Sequence, residues 1–183
     1  HENRVVVFGA QGALHCLDVQ TGKTIWSHDT MALFNSKRPF RGEPPEGYFG
    51  KGSSPVITNG LVIVNAGGAE KNAGVVAFKL ADGKLAWKSS NVRASYSSPT
   101  LATIDGKPQV IFAARLNVIS LEPRTGKELF RFPFGRTGPT VTGASPVVLG
   151  DRLFITASYG FGAVMAKVSG GRVSDTWRSD DIL

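Results

Sequence analysis

The chain has 183 residues, 42% hydrophobic and 19% charged, with a net charge of +7. That balance excludes an intrinsically disordered chain, and no apolar run approaches the ~18 residues of a membrane-spanning helix. The single cysteine, Cys16, excludes an intrachain disulfide and a cysteine-based zinc cluster. The lysines and arginines are dispersed, so the charge predicts a basic solvated face and no nucleic-acid partner.

His1–Arg4 lead straight into an apolar strand, Val5–Phe8, with no secretory leader; this suits a processed chain or one cut from something longer. A second strand follows in Gly12–Trp26, then a polar turn closing on Gly22, then a short strand ending in Trp26. After a long irregular stretch the same pattern returns more completely. Ser54–Thr58 reads as a strand, Asn59-Gly60 as a hairpin turn, and Leu61–Ala66 as the next strand. Asn-Gly is a strong hairpin signal because both residues tolerate positive φ. Val75–Lys79, a turn at Asp82-Gly83 and Leu85–Lys88 ending past Trp87 complete the unit. A third unit has turns at Asp105-Gly106 and Thr125-Gly126 and ends on Phe130. A fourth has turns at Gly150-Asp151 and Gly170-Gly171 and ends on Trp177. No amphipathic helix of useful length is predicted.

The prolines of three Ser-Pro pairs, Pro55, Pro99 and Pro146, are 44 and 47 residues apart. A period in the mid-40s with four short strands per unit predicts an all-β fold, a β-propeller of four-stranded antiparallel blades. The units are 4–29 (incomplete, without its first strand), 53–90, 96–133 and 144–179, joined after the first by the long loop 30–52. A large ring at the end of each unit is expected to pack on a neighbouring glycine turn, where no side chain blocks it. The pairs in this pattern are Gly22 and Trp26, Gly83 and Trp87, Gly126 and Phe130, and Gly171 and Trp177.

The pattern Ala-x-Asp-x-x-Thr-Gly-x-x-x-Trp resembles the tryptophan-docking motif of the pyrroloquinoline-quinone-like (PQQ-like) repeat family, which includes quinoprotein alcohol dehydrogenases and the assembly factor BamB. Asp18, Thr21, Gly22 and Trp26 match it, with Cys16 at the alanine position. Ala77, Gly83 and Trp87 match in the second unit, Thr125 and Gly126 in the third. The fourth matches at Ala166, Gly171 and Trp177 only with an insertion. The resemblance implies a ring of seven or eight blades, of which about four are present. Three arrangements then remain: a segment of a larger protein, a homodimer of two chains completing an eight-bladed ring, or an unusually small propeller. It also implies a periplasmic or cell-envelope setting, with peripheral envelope association.

With strands ordered A to D, the D-to-A and B-to-C loops share one face, and these are the irregular ones. Binding residues concentrate on such loops. The ligand or partner candidates are therefore Lys37, Arg38, Arg41, Tyr48 and Lys51 of the long loop, with Tyr96, Arg115 and Tyr159. No catalytic residue and no metal site is predicted. His15 and His28 pair with no other ligand at metal spacing, the acidic residues fall in turns, and neither a nucleophile elbow nor a phosphate loop is present. The leading expectation is a non-catalytic platform for a protein or peptide, with no cofactor. The alternative is part of a PQQ-dependent dehydrogenase, using PQQ with calcium, whose cofactor residues lie mostly outside this chain.

Overall fold

The computed structural model describes residues 1–36, 50–136 and 142–180. The strands are β1 (Arg4–Phe8), β2 (Ala13–Asp18), β3 (Thr24–Asp29), β4 (Val56–Thr58), β5 (Leu61–Val64), β6 (Val75–Lys79), β7 (Leu85–Ser89), β8 (Thr100–Ile104), β9 (Lys107–Ala113), β10 (Asn117–Leu121), β11 (Glu128–Pro133), β12 (Val147–Leu149), β13 (Arg152–Ala157), β14 (Gly162–Ser169) and β15 (Arg172–Ser179). Every sheet is an antiparallel meander in chain order. The first has three strands, β1 to β3, and the other three have four each. A single-turn helix, α1 (Thr30–Phe34), follows β3, with the Asp29 carboxylate accepting from the backbone N–H groups of Met31 and Ala32.

Side chains alternate across a strand, and both faces of an inner blade are covered. Val62, Val64, Val76 and Phe78 face the first blade and join Leu14, Cys16 and Trp26 in one apolar layer. Ile63, Val75 and Ala77 point the other way, to Val110, Phe112, Ile119 and Leu121 of the third blade. Ile111, Val118 and Phe130 meet Leu153, Val164 and Val168 of the fourth. The core is thus three layers between successive sheets, which is how stacked repeats stabilise one another.

The Asn59-Gly60 turn has positive φ at both residues, 51° and 70°, as the hairpin reading requires. Two expected strands are shorter than read. β4 begins at Val56 because the Ser54 N–H is taken by the Ser98 hydroxyl of the next blade (3.1 Å). β5 stops at Val64 because Asn65 turns its amide to the Gly74 carbonyl (2.8 Å).

Each outermost strand carries a bulge immediately before its aromatic residue. Trp26 pairs with Cys16 and Thr24 with Leu17, leaving Ile25 extra. Ala86, Leu129 and Thr176 are the extra residues before Trp87, Phe130 and Trp177. A bulge bends the strand and re-aims the next side chain.

Candidate functional site

The aromatic residues of the first two blades reach the following blade. A Cβ added at Gly83 would lie 2.8 Å from the Trp26 ring, and one at Gly126 would lie 2.5 Å from the Trp87 ring. The indole N–H of Trp26 donates to the Leu80 carbonyl (2.9 Å) and that of Trp87 to the Pro123 carbonyl (3.1 Å). His28 stacks on Phe78 with ring centroids 4.5 Å apart, and its Nε2 lies 2.7 Å from the Gly83 carbonyl oxygen. Cys16 lies buried beneath, and desolvation raises its thiol pKa against the opposing pull of Arg4.

The third junction is built differently. The Phe130 ring has no N–H to donate, and Gly170-Gly171 is a two-residue turn with both φ positive. The position over Gly171 is taken by the Leu129 carbonyl, 3.2 Å from an added Cβ, rather than by the Phe130 ring. The Gly170 N–H donates instead to Asp105 Oδ2 (2.7 Å).

The acidic turn residues hold the turns themselves. Asp18 accepts from the Thr21 hydroxyl (2.8 Å) and from the backbone of Gln20 and Thr21. The Thr21 hydroxyl and backbone keep the Asp18 carboxyl below its ordinary pKa. Glu122 repeats the arrangement with Thr125 (2.6 Å) and the backbone of Arg124 and Thr125.

On the loop face, the starts of the second and third blades are tied to their neighbours. The Lys51 N–H donates to the Ala10 carbonyl (2.8 Å) and its ammonium to the Ser36 hydroxyl (2.5 Å), both wholly buried. Ser95, one repeat on, donates its N–H to Asn65 Oδ1 (3.0 Å) and its hydroxyl to the Thr142 carbonyl (3.1 Å). The Ser97 hydroxyl donates to the Ala144 carbonyl (2.9 Å) and that of Thr100 to the Pro146 carbonyl (2.6 Å).

The residues proposed for binding separate accordingly. Lys37, Arg38, Arg41 and Tyr48 lie outside the described residues. Lys51 and Arg115 are buried, and burial lowers the Arg115 guanidinium pKa. Tyr96 is half-buried against Gly52, whose added Cβ would meet its ring at 3.3 Å. Tyr159 is exposed at the tip of its loop with φ of 61°, and its carbonyl accepts from Arg136 (2.7 Å). Beside it, Phe134 and Phe161 pack edge to face, with centroids 4.9 Å apart. With Ala163, Arg178, Ser179 and Asp180 they line a hollow of about 310 Å³. Sequence reading missed Phe134 and Phe161; their place flanking two glycine-containing loops of the same face was the available signal. Among the described residues, no group of three or more His, Cys, Asp or Glu side chains converges as a metal-binding set.

No curated protein matches the sequence. Among solved structures the chain is similar to BamB from Moraxella catarrhalis, at 17% identity and a TM-score of 0.60, over 98% of this chain and 46% of that one. It is similar to the quinohemoprotein alcohol dehydrogenase from Comamonas testosteroni, at 14% identity and a TM-score of 0.66, over 97% of this chain and 33% of that one. It is also similar to the computationally designed Ika4 protein, at 16% identity and a TM-score of 0.51, over 97% of this chain and 86% of that one. The chain therefore spans less than half the length of the first two, and likeness at these identities shows the fold alone. A PQQ-like repeat model described as outer membrane protein assembly factor BamB matches residues 1–182, and the chain belongs to that family.

Proposed function

We propose that the chain is a non-catalytic propeller segment serving as a binding or assembly platform, which takes a protein or peptide on its loop face in the periplasm or cell envelope. One observation carries this reading. The polar side chains at the start of the third blade, Ser95, Ser97 and Thr100, are committed to backbone carbonyls of the approach to the fourth. Among the described residues, the loop face offers a partner an exposed tyrosine beside an aromatic-walled hollow. Tyrosine and phenylalanine at a rigid rim suit a polypeptide partner. The family's description as an assembly factor agrees with it.

The likeness to a quinohemoprotein dehydrogenase favours a second reading, a segment of a PQQ-dependent enzyme using PQQ with calcium. The described residues do not fit that cofactor, since they bring no carboxylate cluster together for the metal and Cys16 is single.

Two measurements test the platform reading. The first titrates the chain with PQQ and calcium and follows the quinone absorbance; no saturable binding is expected. The second places a photo-crosslinking residue at Tyr159, and in parallel at Lys107 on the opposite face, in a cell-envelope extract. A polypeptide adduct from position 159 and none from 107 is expected. Saturable calcium-dependent PQQ binding, or equal crosslinking from both faces, overturns the reading.

A further inference from the structure

The A-to-B and C-to-D hairpins form the face opposite the loops, and its charge follows the repeat. In all four units the residue after the glycine of the C-to-D turn is a cation: Lys23, Lys84, Lys127 and Arg172. Lys107 and Arg152 open the strands that follow two of the A-to-B turns. All six are exposed. Hydrogen bonds hold the turns of successive blades side by side. Asp105, in the β8–β9 turn of the third blade, accepts from Gly170 in the β14–β15 turn of the fourth. The Trp26 and Trp87 rings likewise bind the Leu80 and Pro123 carbonyls in the C-to-D turn of the next blade.

The carboxylates of these turns are engaged within the face. Asp18 and Glu122 accept from the backbone and threonine of their own turns. Asp82 pairs with Lys84 (3.1 Å) and Asp151 with Lys167 (3.4 Å). Among the described residues, Lys23, Lys107, Lys127, Arg152 and Arg172 enter no ion pair. Arg152 also stands directly opposite Lys167 across β13 and β14, and like charges so placed weaken a sheet. The glycines are what the turns require; the cations beside them are not. Towards the loop face the described cations are spent differently. Lys51 and Arg115 are buried. Arg131 and Arg178 pair with Glu128 and Asp175. Lys71 and Lys88 donate to the Leu33 and Lys71 carbonyls (3.2 and 3.0 Å). Unshared positive charge therefore gathers on the turn face.

We propose that the turn face docks on a bilayer surface of anionic phospholipid. The partner must be anionic, because the free charge on this face is of one sign. It must also be broad, because the cations are spread over the turns of four blades rather than gathered round one site. Lysine is a flexible point charge, suited to mobile headgroups, whereas recognition of a single fixed anion favours a bidentate arginine. Basic residues held within a Debye length of an anionic leaflet each add attraction. In this pose the loop face points away from the lipid, open to a polypeptide. The inference does not rest on the platform reading: it is measured on vesicles, and PQQ binding or crosslinking from position 159 leaves it untouched.

The test is co-sedimentation of the 183-residue chain with vesicles of phosphatidylcholine, alone or mixed with phosphatidylglycerol, over a salt series. Two triple variants accompany it. One carries Lys107→Glu, Lys127→Glu and Arg172→Glu on the turn face, and the other Lys71→Glu, Lys88→Glu and Arg93→Glu towards the loop face. All six positions are exposed, both variants change net charge equally, and far-UV circular dichroism verifies that each keeps its sheets. If the glutamates disturb a turn, the matching glutamine triples remove the charges without reversing them. Binding to the mixed vesicles alone is expected, falling as salt rises. The turn-face triple should weaken it about tenfold or more, and the loop-face triple less than about threefold. Equal losses from the two triples would mean that net charge alone decides, and would overturn the proposal. Binding to neither vesicle, or to both alike, overturns it too. So does turn-face-dependent binding to soluble polyglutamate with none to vesicles, which would assign the face to an acidic polypeptide.

Discussion

Three glycines share one backbone state and differ in what stands over them, which lets the ring contact be weighed separately from strain. Gly60, Gly83 and Gly126 have φ of 70°, 72° and 73°. Alanine at any of them meets the left-handed penalty of about 1–2 kcal/mol. At Gly60 the new Cβ meets nothing within 4 Å, whereas at Gly83 it lies 2.8 Å from two atoms of Trp26 and at Gly126 2.5 Å from Trp87. Neither ring can retreat without leaving its carbonyl, and such overpacking costs about 1–3 kcal/mol, with the lost indole hydrogen bond adding roughly 1 kcal/mol. Gly60→Ala should therefore lose about 1 kcal/mol, and Gly83→Ala and Gly126→Ala about 3 kcal/mol or more. Urea unfolding at constant slope measures all three. A double-mutant cycle sharpens the comparison: in a Trp26→Ala background the ring is gone, His28 Nε2 at 3.1 Å is the close contact that remains among those nearest the new Cβ, and Gly83→Ala should cost less than it does beside the intact ring. If the three single substitutions agree within about 0.5 kcal/mol, the resolution expected of such differences, or if the cycle shows no coupling, the ring is not seated on the glycine and the account of the blade junction fails.

Asp18 makes stability pH-dependent in a defined direction. Its folded pKa is depressed, so its contribution is present above the unfolded value near ~3.9 and fades as the pH falls through the lower folded value. Asp18→Asn should flatten the acid limb of urea midpoints recorded downward from neutral pH, and an unchanged slope refutes the assignment. Ser95→Ala and Ser97→Ala each remove a hydrogen bond to the fourth blade's approach and should each cost about 1 kcal/mol; losses below ~0.3 kcal/mol in urea melts would mean those carbonyls are satisfied otherwise. Trp26→Ala should cost about 3–5 kcal/mol, while Ile25→Ala, the exposed bulge residue beside it, should stay within about 0.5 kcal/mol; similar losses from the two would contradict the re-aiming role of the bulge.

The turns were legible because their chemistry is local. Asn59-Gly60 and Asp105-Gly106 announce positive φ in two residues, and the spacing of the Ser-Pro pairs announces the blade. The bulges were not legible, since Ile25, Ala86, Leu129 and Thr176 share no side-chain type and are distinguished only by a register shift against the neighbouring strand. The departure at the third junction follows from atoms the pattern does not weigh. A phenylalanine fills the tryptophan position but cannot tie itself to a carbonyl, so Asp105 and Gly170 take over the link. Helix α1 escaped notice because one turn is too short to show a period; its capping Asp29 was the local sign.

The candidate site was legible as a face and not as a set of side chains, and the reason lies in the repeat itself. Residues 51, 95 and 142 occupy the same place in three successive units and are all buried. At the first two, the backbone N–H is held by the B-to-C loop of the preceding blade, through Ala10 and Asn65. A lysine at one of them reads from sequence as a charge presented to a ligand. In the folded chain its ammonium is drawn into the junction and bonded to Ser36. Position in the repeat therefore outranks residue type in deciding what a loop-face side chain does. By that criterion Tyr159 is the described candidate with the strongest claim on a partner, because its loop projects between β13 and β14 rather than threading a junction. Crosslinking from position 159 discriminates between these two roles, since a residue that only fastened blades would yield no intermolecular adduct.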